Sequence, residues 1–328
     1  MTGLCDSFQR PINYLRISVT DRCNLRCVYC MPAGGIRRMS HRDILSYEEI
    51  YTIVRAASGL GINKVRLTGG EPLARLGILK LVAMLSQIEA VNDISLTTNG
   101  TLLAGYAAEL KESGLGRVNI SLDTLQPERF KAITRSRFDL SDVLEGIKAA
   151  NLAGLNPVKV NVVVMAGIND DEVPDFARKT INEGWHVRFI EFMPTAGVGN
   201  AALHFVPVSS IKKRLKSLGE LVPCFPHASN GPARYFRFPG SEGSVGYISP
   251  VSDHFCFNCN RLRLTADGKL RPCLLSEKEI DLKQPLRSGI TSAELEGLIK
   301  QAVAKKPLRH QLAEGDLSLN RPMTQVGG

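Results

Sequence analysis

Short β-rich runs alternate with helical segments between residues 14 and 191 of this 328-residue chain, and this alternation constrains the fold most strongly. The spacing is that of βα units, which predicts a parallel sheet with helices outside it. The six predicted strands are Tyr14–Val19, Lys64–Thr68, Asp93–Thr97, Arg117–Ser121, Val158–Val164 and Trp185–Glu191. A full barrel of this kind has eight units in about 250 residues. Six units predict an α/β fold with an incomplete (βα)6 TIM-like barrel, and an open doubly wound sheet is the alternative.

The segments between the strands carry helix start and stop signals. Ser46 and Glu49 have the spacing of a capping box, and a similar polar start begins at Asn169. Gly114, Gly154 and Gly184 follow helical patterns just before the next strand, where a left-handed residue is favoured. These signals support helices between the predicted strands.

The sequence pattern changes after about residue 200, where prolines interrupt short β-rich runs. These prolines are Pro207, Pro223, Pro226, Pro232, Pro239 and Pro250. A usual domain size of roughly 100–200 residues also favours two domains. We predict a core barrel at residues 1–220 and a loop-rich C-terminal module at residues 221–328.

Composition and charge limit the class of protein. Hydrophobic residues make up 44% and charged residues 22%, which excludes a disordered chain. No apolar run approaches the roughly 18 residues of a membrane span, and the N-terminus lacks a signal-peptide pattern, so a cytoplasmic protein is expected. The net charge of +9 favours binding to an anionic partner, such as nucleic acid, a membrane surface or a phosphorylated small molecule.

Eight cysteines in a reducing compartment favour metal ligation over disulfides. Cys23, Cys27 and Cys30 follow the first strand with C-x3-C-x2-C spacing. A [4Fe–4S] cluster normally takes four cysteines, so three would leave one iron open for another ligand. Zinc is the alternative, but it favours a fourth protein ligand, and no further histidine or cysteine lies close by.

A second triplet, Cys256, Cys259 and Cys273, lies in the later module. Here the zinc alternative is stronger, because a fourth ligand is available from Asp253, His254, Cys224 or His227. Between these cysteines, Arg261 and Arg263 occupy alternate positions of an extended run and therefore share one face. Arginines on one face suit a phosphorylated ligand. The remaining cysteines, Cys5 and Cys224, are predicted to be plain thiols.

The first triplet resembles the radical S-adenosylmethionine (SAM) superfamily. Tyr29 precedes the third cysteine, and a glycine-rich turn, Thr68-Gly69-Gly70-Glu71-Pro72, follows the second strand. Both triplets, the Arg261-Leu262-Arg263 segment and the terminal Gly327-Gly328 together resemble one family within it, the GTP 3′,8-cyclases of molybdenum cofactor biosynthesis (protein A). The resemblance runs from Arg16 to Gly328.

The resemblance assigns roles to individual residues. It implies that the first triplet holds a [4Fe–4S] cluster that binds SAM, and that the second triplet holds another whose open iron faces the guanine of GTP. The implied SAM contacts are Tyr29, Gly70, Ser121 and Met193. The implied nucleotide-binding residues are Arg16, Arg66, Thr97, Lys159, Arg261, Leu262 and Arg263. Among these, Arg16, Arg261 and Arg263 are the predicted catalytic residues, and Lys64 and Arg188 are weaker phosphate candidates.

Strand positions support most of these assignments independently. Cys23, Gly70, Thr97, Ser121 and Met193 lie at or just past the carboxyl end of a predicted strand. Active sites of barrels assemble on that face. Lys159 lies near the start of its strand and fits this pattern less well.

The resemblance also implies a reaction. Cleavage of SAM would produce a 5′-deoxyadenosyl radical that removes the 3′ hydrogen of the GTP ribose, and the carbon radical would attack C8 of guanine. The product would pass to a cyclic pyranopterin monophosphate synthase, and an electron donor is required. We expect no nucleic-acid or membrane partner, and monomer and homodimer both remain open. The alternatives are a radical SAM enzyme that modifies RNA and a non-catalytic metal-binding module.

Overall fold

The computed structural model of the chain describes residues 3–193, 204–225, 231–310 and 321–327. Its strands are β1 (Tyr14–Ser18), β2 (Lys64–Thr68), β3 (Asp93–Thr98), β4 (Arg117–Ser121), β5 (Lys159–Val164), β6 (His186–Glu191), β7 (Val222–Pro223), β8 (Arg234–Arg237), β9 (Ser244–Ile248), β10 (Arg261–Leu264), β11 (Lys269–Arg271) and β12 (Ile280–Asp281). They form one sheet in the order β12-β11-β10-β1-β2-β3-β4-β5-β6-β9-β8-β7.

Most helices cover the outside of this sheet and follow the strands in sequence. The helices are α1 (Tyr47–Gly59), α2 (Ile78–Ser86), α3 (Ala107–Glu112), α4 (Pro127–Thr134), α5 (Leu140–Leu152), α6 (Val173–Asn182), α7 (Val208–Leu215), α8 (Lys283–Arg287), α9 (Ser292–Ala304) and α10 (Met323–Val326). Across the described ranges, no helix is both long enough and apolar enough to span a membrane.

The six predicted strands are confirmed as β1 to β6, which pair in parallel and in sequence order. Each strand has side chains on two different surfaces, as the period of two requires. On β1, Leu15 and Ile17 pack in the hydrophobic core, whereas Arg16 lines an internal cavity. The same alternation on β2 buries Val65 and Leu67 in the core and directs Arg66 inward. The predicted partial barrel therefore has an apolar outer face and a charged interior.

Strands from the later part of the chain extend the barrel sheet at both edges. β9 pairs in parallel with β6, and β10 pairs in parallel with β1. An edge strand exposes unpaired backbone groups, and these two pairings satisfy them. The domain boundary at residues 220 and 221 stays a prediction, but hydrogen bonds of one sheet join the segments on its two sides.

The predicted helix signals have the expected geometry. The Glu49 amide donates to Ser46 Oγ at 3.1 Å, and the Ser46 amide donates to Glu49 Oε2 at 2.7 Å, which completes the capping box of α1. Gly114, Gly154 and Gly184 all have positive φ, between 68° and 102°. The polar start at Asn169 instead leads into a short 3-10 turn, and α6 begins after it.

Candidate active site

Both cysteine triplets line one cavity of about 330 Å³ that extends along the inside of the barrel strands. The first triplet lies in the loop after β1. Two members of the second lie in the loop before β10, and the third lies just after β11. The parallel register of β1 and β10 pairs Tyr14 with Arg261, so Cys259 lies beside the amino end of β1. The first triplet follows the carboxyl end of β1, so the two triplets lie at opposite ends of the cavity. The six cysteines at this cavity are Cys23, Cys27, Cys30, Cys256, Cys259 and Cys273.

Burial of the first triplet makes its thiols hard to ionise unless a positive charge lies beside them. Burial raises the pKa of Cys23 to about 11 and that of Cys30 to about 12, and it raises the pKa of Cys27 well above its usual value. Negative charge on Cys30 and Cys23 adds to the rise in the pKa of Cys27, and negative charge on Cys23 adds to that of Cys30. Three thiolates are therefore stable here only when a cationic group joins them, and iron in a cluster is such a group.

The glycine-rich turn after β2 packs directly against the loop that leads to Cys23. The Gly70 amide donates to the Thr20 carbonyl at 2.7 Å, and the Glu71 amide donates to the Arg22 carbonyl at 2.8 Å. A Cβ on Gly70 would lie 2.2 Å from the Arg22 carbonyl oxygen. Because Gly70 has no side chain, the turn after β2 can contact the Arg22 backbone directly. This contact sets the position of the cysteine loop.

We expect Gly70→Ala to destabilise the protein and displace this loop. Overpacking of this kind costs about 1–3 kcal/mol. Gly105→Ala is the matched control, because a Cβ there meets no atom within 4 Å. Chemical denaturation should show a lower free energy of unfolding for Gly70→Ala alone, together with reduced iron binding after reconstitution. Equal stability of the two variants would contradict the packing role.

The second triplet differs from the first in its electrostatic surroundings. Burial raises the pKa of Cys256. Burial also opposes ionisation of Cys259, but the positive charges of Arg261 and Lys306 outweigh it and lower that pKa to about 6. The positive charges of Arg261 and Lys306 therefore favour the thiolate of Cys259, the form in which cysteine binds metal.

The alternative zinc ligands lie away from this cavity. Asp253 pairs with Arg234 at 2.7 Å, His254 stacks edge-on against His310, and neither Asp253, His254 nor Cys224 lines the cavity. His227 lies outside the described residues. Within the ranges that the structure describes, no three His, Cys, Asp or Glu side chains gather closely enough to hold a single metal ion.

Buried cationic side chains from the barrel strands line part of the cavity. Arg16, Arg66, Arg188 and Arg263 line it, and each is at most 9% exposed. Burial and the neighbouring arginines lower the pKa of Arg263 to about 9, and the same causes lower the pKa of Lys159 to about 7. Cations that repel one another in a buried space favour binding of a polyanion.

Several polar atoms at the cavity are available to a ligand. Thr97 Oγ1, Asn161 Oδ1 and Arg188 Nε are buried, and none has a hydrogen-bond partner among the described residues. A buried polar atom without a partner is costly, so bound ligand or water is expected to satisfy these atoms.

The structure brings most of the predicted site residues to this cavity. They are Arg16, Tyr29, Arg66, Gly70, Thr97, Ser121, Met193, Arg261 and Arg263. Leu262 does not line the cavity, because its side chain points from β10 into the hydrophobic core. Lys159 lies deeper in the barrel, with Nζ 5.5 Å from the centre of the Tyr235 ring. Lys64 borders a different hollow, at the amino ends of β2 to β4.

Sequence reasoning missed several polar residues of the cavity, among them Asn161 and Asp123. Asn161 shares a strand face with Lys159, so the period of two on β5 could have indicated it. Asp123 lies two residues after β4 and accepts a hydrogen bond from Tyr29 Oη at 2.7 Å. Burial raises the pKa of Asp123 to about 6. No local pattern marks this aspartate, because its partner is in a different loop.

The tail of the chain reaches the same region. Ser18 Oγ donates to the Thr324 carbonyl at 3.1 Å, and Arg263 donates to the Gly327 carbonyl. Gly327 has a φ of 70°, and a Cβ there would lie 2.2 Å from Thr68 Oγ1. This position therefore requires glycine. Gly328 lies outside the described residues.

Comparison with known proteins identifies the family of this site. The family model of the radical SAM superfamily matches residues 17–180, and that of Molybdenum Cofactor Synthesis C matches residues 185–312. The GTP 3′,8-cyclase of Moorella thermoacetica is 53% identical over 98% of this chain and 99% of its own length. The chain belongs to the GTP 3′,8-cyclase family. The enzyme of that name from Pelotomaculum thermopropionicum is also 53% identical, over 98% of this chain and 99% of its own length.

Family membership confirms the predicted class, a radical SAM lyase of molybdenum cofactor biosynthesis. The alternatives of an RNA-modifying enzyme and a non-catalytic module are therefore set aside. The fold also resembles that of SuiB from Streptococcus suis, with a TM-score of 0.60 over 88% of this chain and 71% of that one. Sequence identity to SuiB is 15%, so this likeness concerns the fold alone.

Proposed function

We propose that this GTP 3′,8-cyclase family member converts GTP into 3′,8-cyclo-7,8-dihydro-GTP, using SAM and two [4Fe–4S] clusters. The observation that carries the proposal is the single cavity lined by both cysteine triplets and by buried arginines. A cluster at each triplet and a triphosphate among the cations would satisfy the thiolates and the arginines together.

The SAM end of the cavity is formed by the first triplet and the carboxyl ends of β2, β4 and β6. Cys23, Cys27 and Cys30 would hold the first cluster, which together with SAM would supply the carbon radical needed to remove the ribose 3′ hydrogen. The residues proposed to contact SAM are Tyr29, Gly70, Ser121 and Met193. The Tyr29 hydroxyl donates to the Asp123 carboxylate, and this hydrogen bond keeps the Tyr29 side chain and the cysteine loop in place.

The substrate end is formed by the cationic barrel interior and the second triplet. Arg16, Arg66 and Arg188 would bind the triphosphate, and the charge of Lys159 would add to the field that attracts it. Thr97 and Asn161 offer hydrogen bonds that orient the nucleotide. Cys256, Cys259 and Cys273 would hold the second cluster, next to Arg261 and Arg263. Holding the ribose against the radical source inside the barrel would lower the entropic part of the barrier and would limit the access of water.

The proposal extends to location and partners. We propose that the enzyme is cytoplasmic, receives electrons from a low-potential donor and passes its product to the cyclic pyranopterin monophosphate synthase. These assignments rest on the family.

Turnover and metal content together test the function. Protein reconstituted and reduced under anaerobic conditions should convert GTP into the cyclised nucleotide and release 5′-deoxyadenosine from SAM. About eight iron atoms per chain are expected for two clusters. Zinc bound at the second triplet, or cleavage of SAM without any GTP product, would contradict the assignment.

We expect Arg66→Gln to weaken GTP binding selectively. A hydrogen bond to a charged group contributes about 1.5–3 kcal/mol, so the Kd for GTP should rise roughly 10- to 150-fold. The Kd for SAM should barely change. The matched control is Arg55→Gln, an arginine exposed on α1. Calorimetric titration of both ligands measures the effect, and equal losses for GTP and SAM would instead indicate misfolding.

We expect removal of Gly327 and Gly328 to reduce cyclisation while leaving both clusters in place. The truncation deprives Arg263 of its contact with the Gly327 carbonyl, and displacement of a positioning group by about 1 Å can lower a rate roughly 100-fold. A peptide that ends in Val-Gly-Gly should partly restore turnover. One that ends in Val-Ala-Ala should not, because a Cβ at Gly327 meets Thr68. Undiminished turnover of the truncated enzyme would show that the tail has no part in the reaction.

A further inference from the structure

Lys306 is a buried lysine beside the second cysteine triplet. It follows α9 and is 4% exposed. Its Nζ donates to the Pro272 carbonyl at 2.7 Å, to the Arg261 carbonyl at 2.8 Å and to Cys259 Sγ at 3.5 Å. A lysine ammonium has three N–H donors, and these three acceptors use all of them. The side chain is therefore held in one position.

The partners of Lys306 are unusual for a buried charge. Two are neutral carbonyls, and in the described ranges no carboxylate pairs with this lysine. A buried ammonium is costly unless a negative charge lies nearby. The sulfur of Cys259 is the partner that can carry such a charge, so the placement of Lys306 suits a thiolate ligand.

The two carbonyls tie together both segments that carry the triplet. Arg261 is two residues after Cys259, and Pro272 immediately precedes Cys273. A change in either segment would therefore break a hydrogen bond to the same nitrogen. Lys306 thus connects the start of β10 to the end of β11 at the point where the cysteines emerge.

We propose that Lys306 positions Cys259 and Cys273 and raises the reduction potential of the cluster that the second triplet holds. This inference rests on the proposed second cluster. Hydrogen bonds to cluster sulfurs and nearby charge are among the factors that set the potential of an iron–sulfur site. A fixed positive charge at a ligand sulfur stabilises the reduced cluster, which carries one more electron, over the oxidised one.

The test uses the full-length chain with Cys23, Cys27 and Cys30 replaced by alanine, so that only the second triplet can hold a cluster. Lys306→Met is compared with Lys305→Met, its exposed neighbour and matched control. At the potential that half-reduces the parent cluster, the ratio of reduced to oxidised cluster should fall about tenfold in Lys306→Met. For a one-electron couple this equals a downward shift of about 59 mV. Lys305→Met should keep the parent ratio.

Further variants separate the charge from the packing. Lys306→Arg keeps the positive charge and should retain most of the parent ratio. Lys306→Gln keeps a donor without the charge and should show a lowered ratio, which gives a second measurement if Lys306→Met does not fold. An unchanged ratio in folded Lys306→Met or Lys306→Gln would overturn the inference. A parent that binds no iron would instead overturn the second cluster itself.

Discussion

Cys27→Ala is expected to form no 5′-deoxyadenosine above background after reconstitution and reduction. Three thiolates are already one short of the usual four ligands of a [4Fe–4S] cluster, so loss of one leaves too few to hold it. The variant should retain about four iron atoms at the second triplet. Chromatographic measurement of 5′-deoxyadenosine with SAM and GTP present, together with iron analysis, tests this expectation.

The matched control is Cys5→Ala, which removes an exposed thiol outside the cavity. It should cleave SAM at the rate of the unmodified protein. If Cys27→Ala cleaved SAM at that rate as well, the first triplet would not be the SAM site. A loss of iron from both triplets would indicate a folding defect and would require the milder variant Cys27→Ser.

Cys273→Ala is expected to form no cyclised nucleotide while still cleaving SAM. Cys273 lies at the substrate end of the cavity. The first triplet lies in a different loop, the one that follows β1. The first cluster should therefore assemble, and SAM cleavage should continue uncoupled from GTP. The iron content should fall from about eight to about four atoms per chain.

Cys224→Ala serves as the control, since Cys224 lies away from the cavity. Its rates of SAM cleavage and of cyclisation should both match those of the unmodified protein. Full cyclase activity in Cys273→Ala would remove the second triplet from the substrate site. Loss of SAM cleavage in that variant would instead place the triplet with the SAM chemistry.

The order of strands and the cysteine spacing were readable because both are local patterns. Alternation of apolar residues with period two, followed by helical segments with capping signals, predicted β1 to β6 without knowledge of any long-range contact. The C-x3-C-x2-C loop and the glycine-rich turn lie within short stretches of chain, so their resemblance to the radical SAM superfamily was visible before folding. Positions at the carboxyl ends of these strands also predicted much of the cavity lining.

Long-range contacts decided the rest. Nothing local shows that β9 and β10 complete the two edges of the barrel sheet, because backbone pairing depends on which edges meet in space. The same holds for Asp123 beside Tyr29 and for Lys306 beside Cys259, whose partners are 94 and 47 positions away.

For Gly70, the sequence and the tertiary structure each supplied a different part of the explanation. The sequence predicted that a glycine after β2 permits close approach, since a residue without Cβ leaves room for another group. The tertiary structure identified the Arg22 backbone as the group that approaches. The sequence by itself therefore determined the strands, the two triplets and the family resemblance. Folding decided which charges and backbones meet around them, because those contacts exist only once distant segments are packed together.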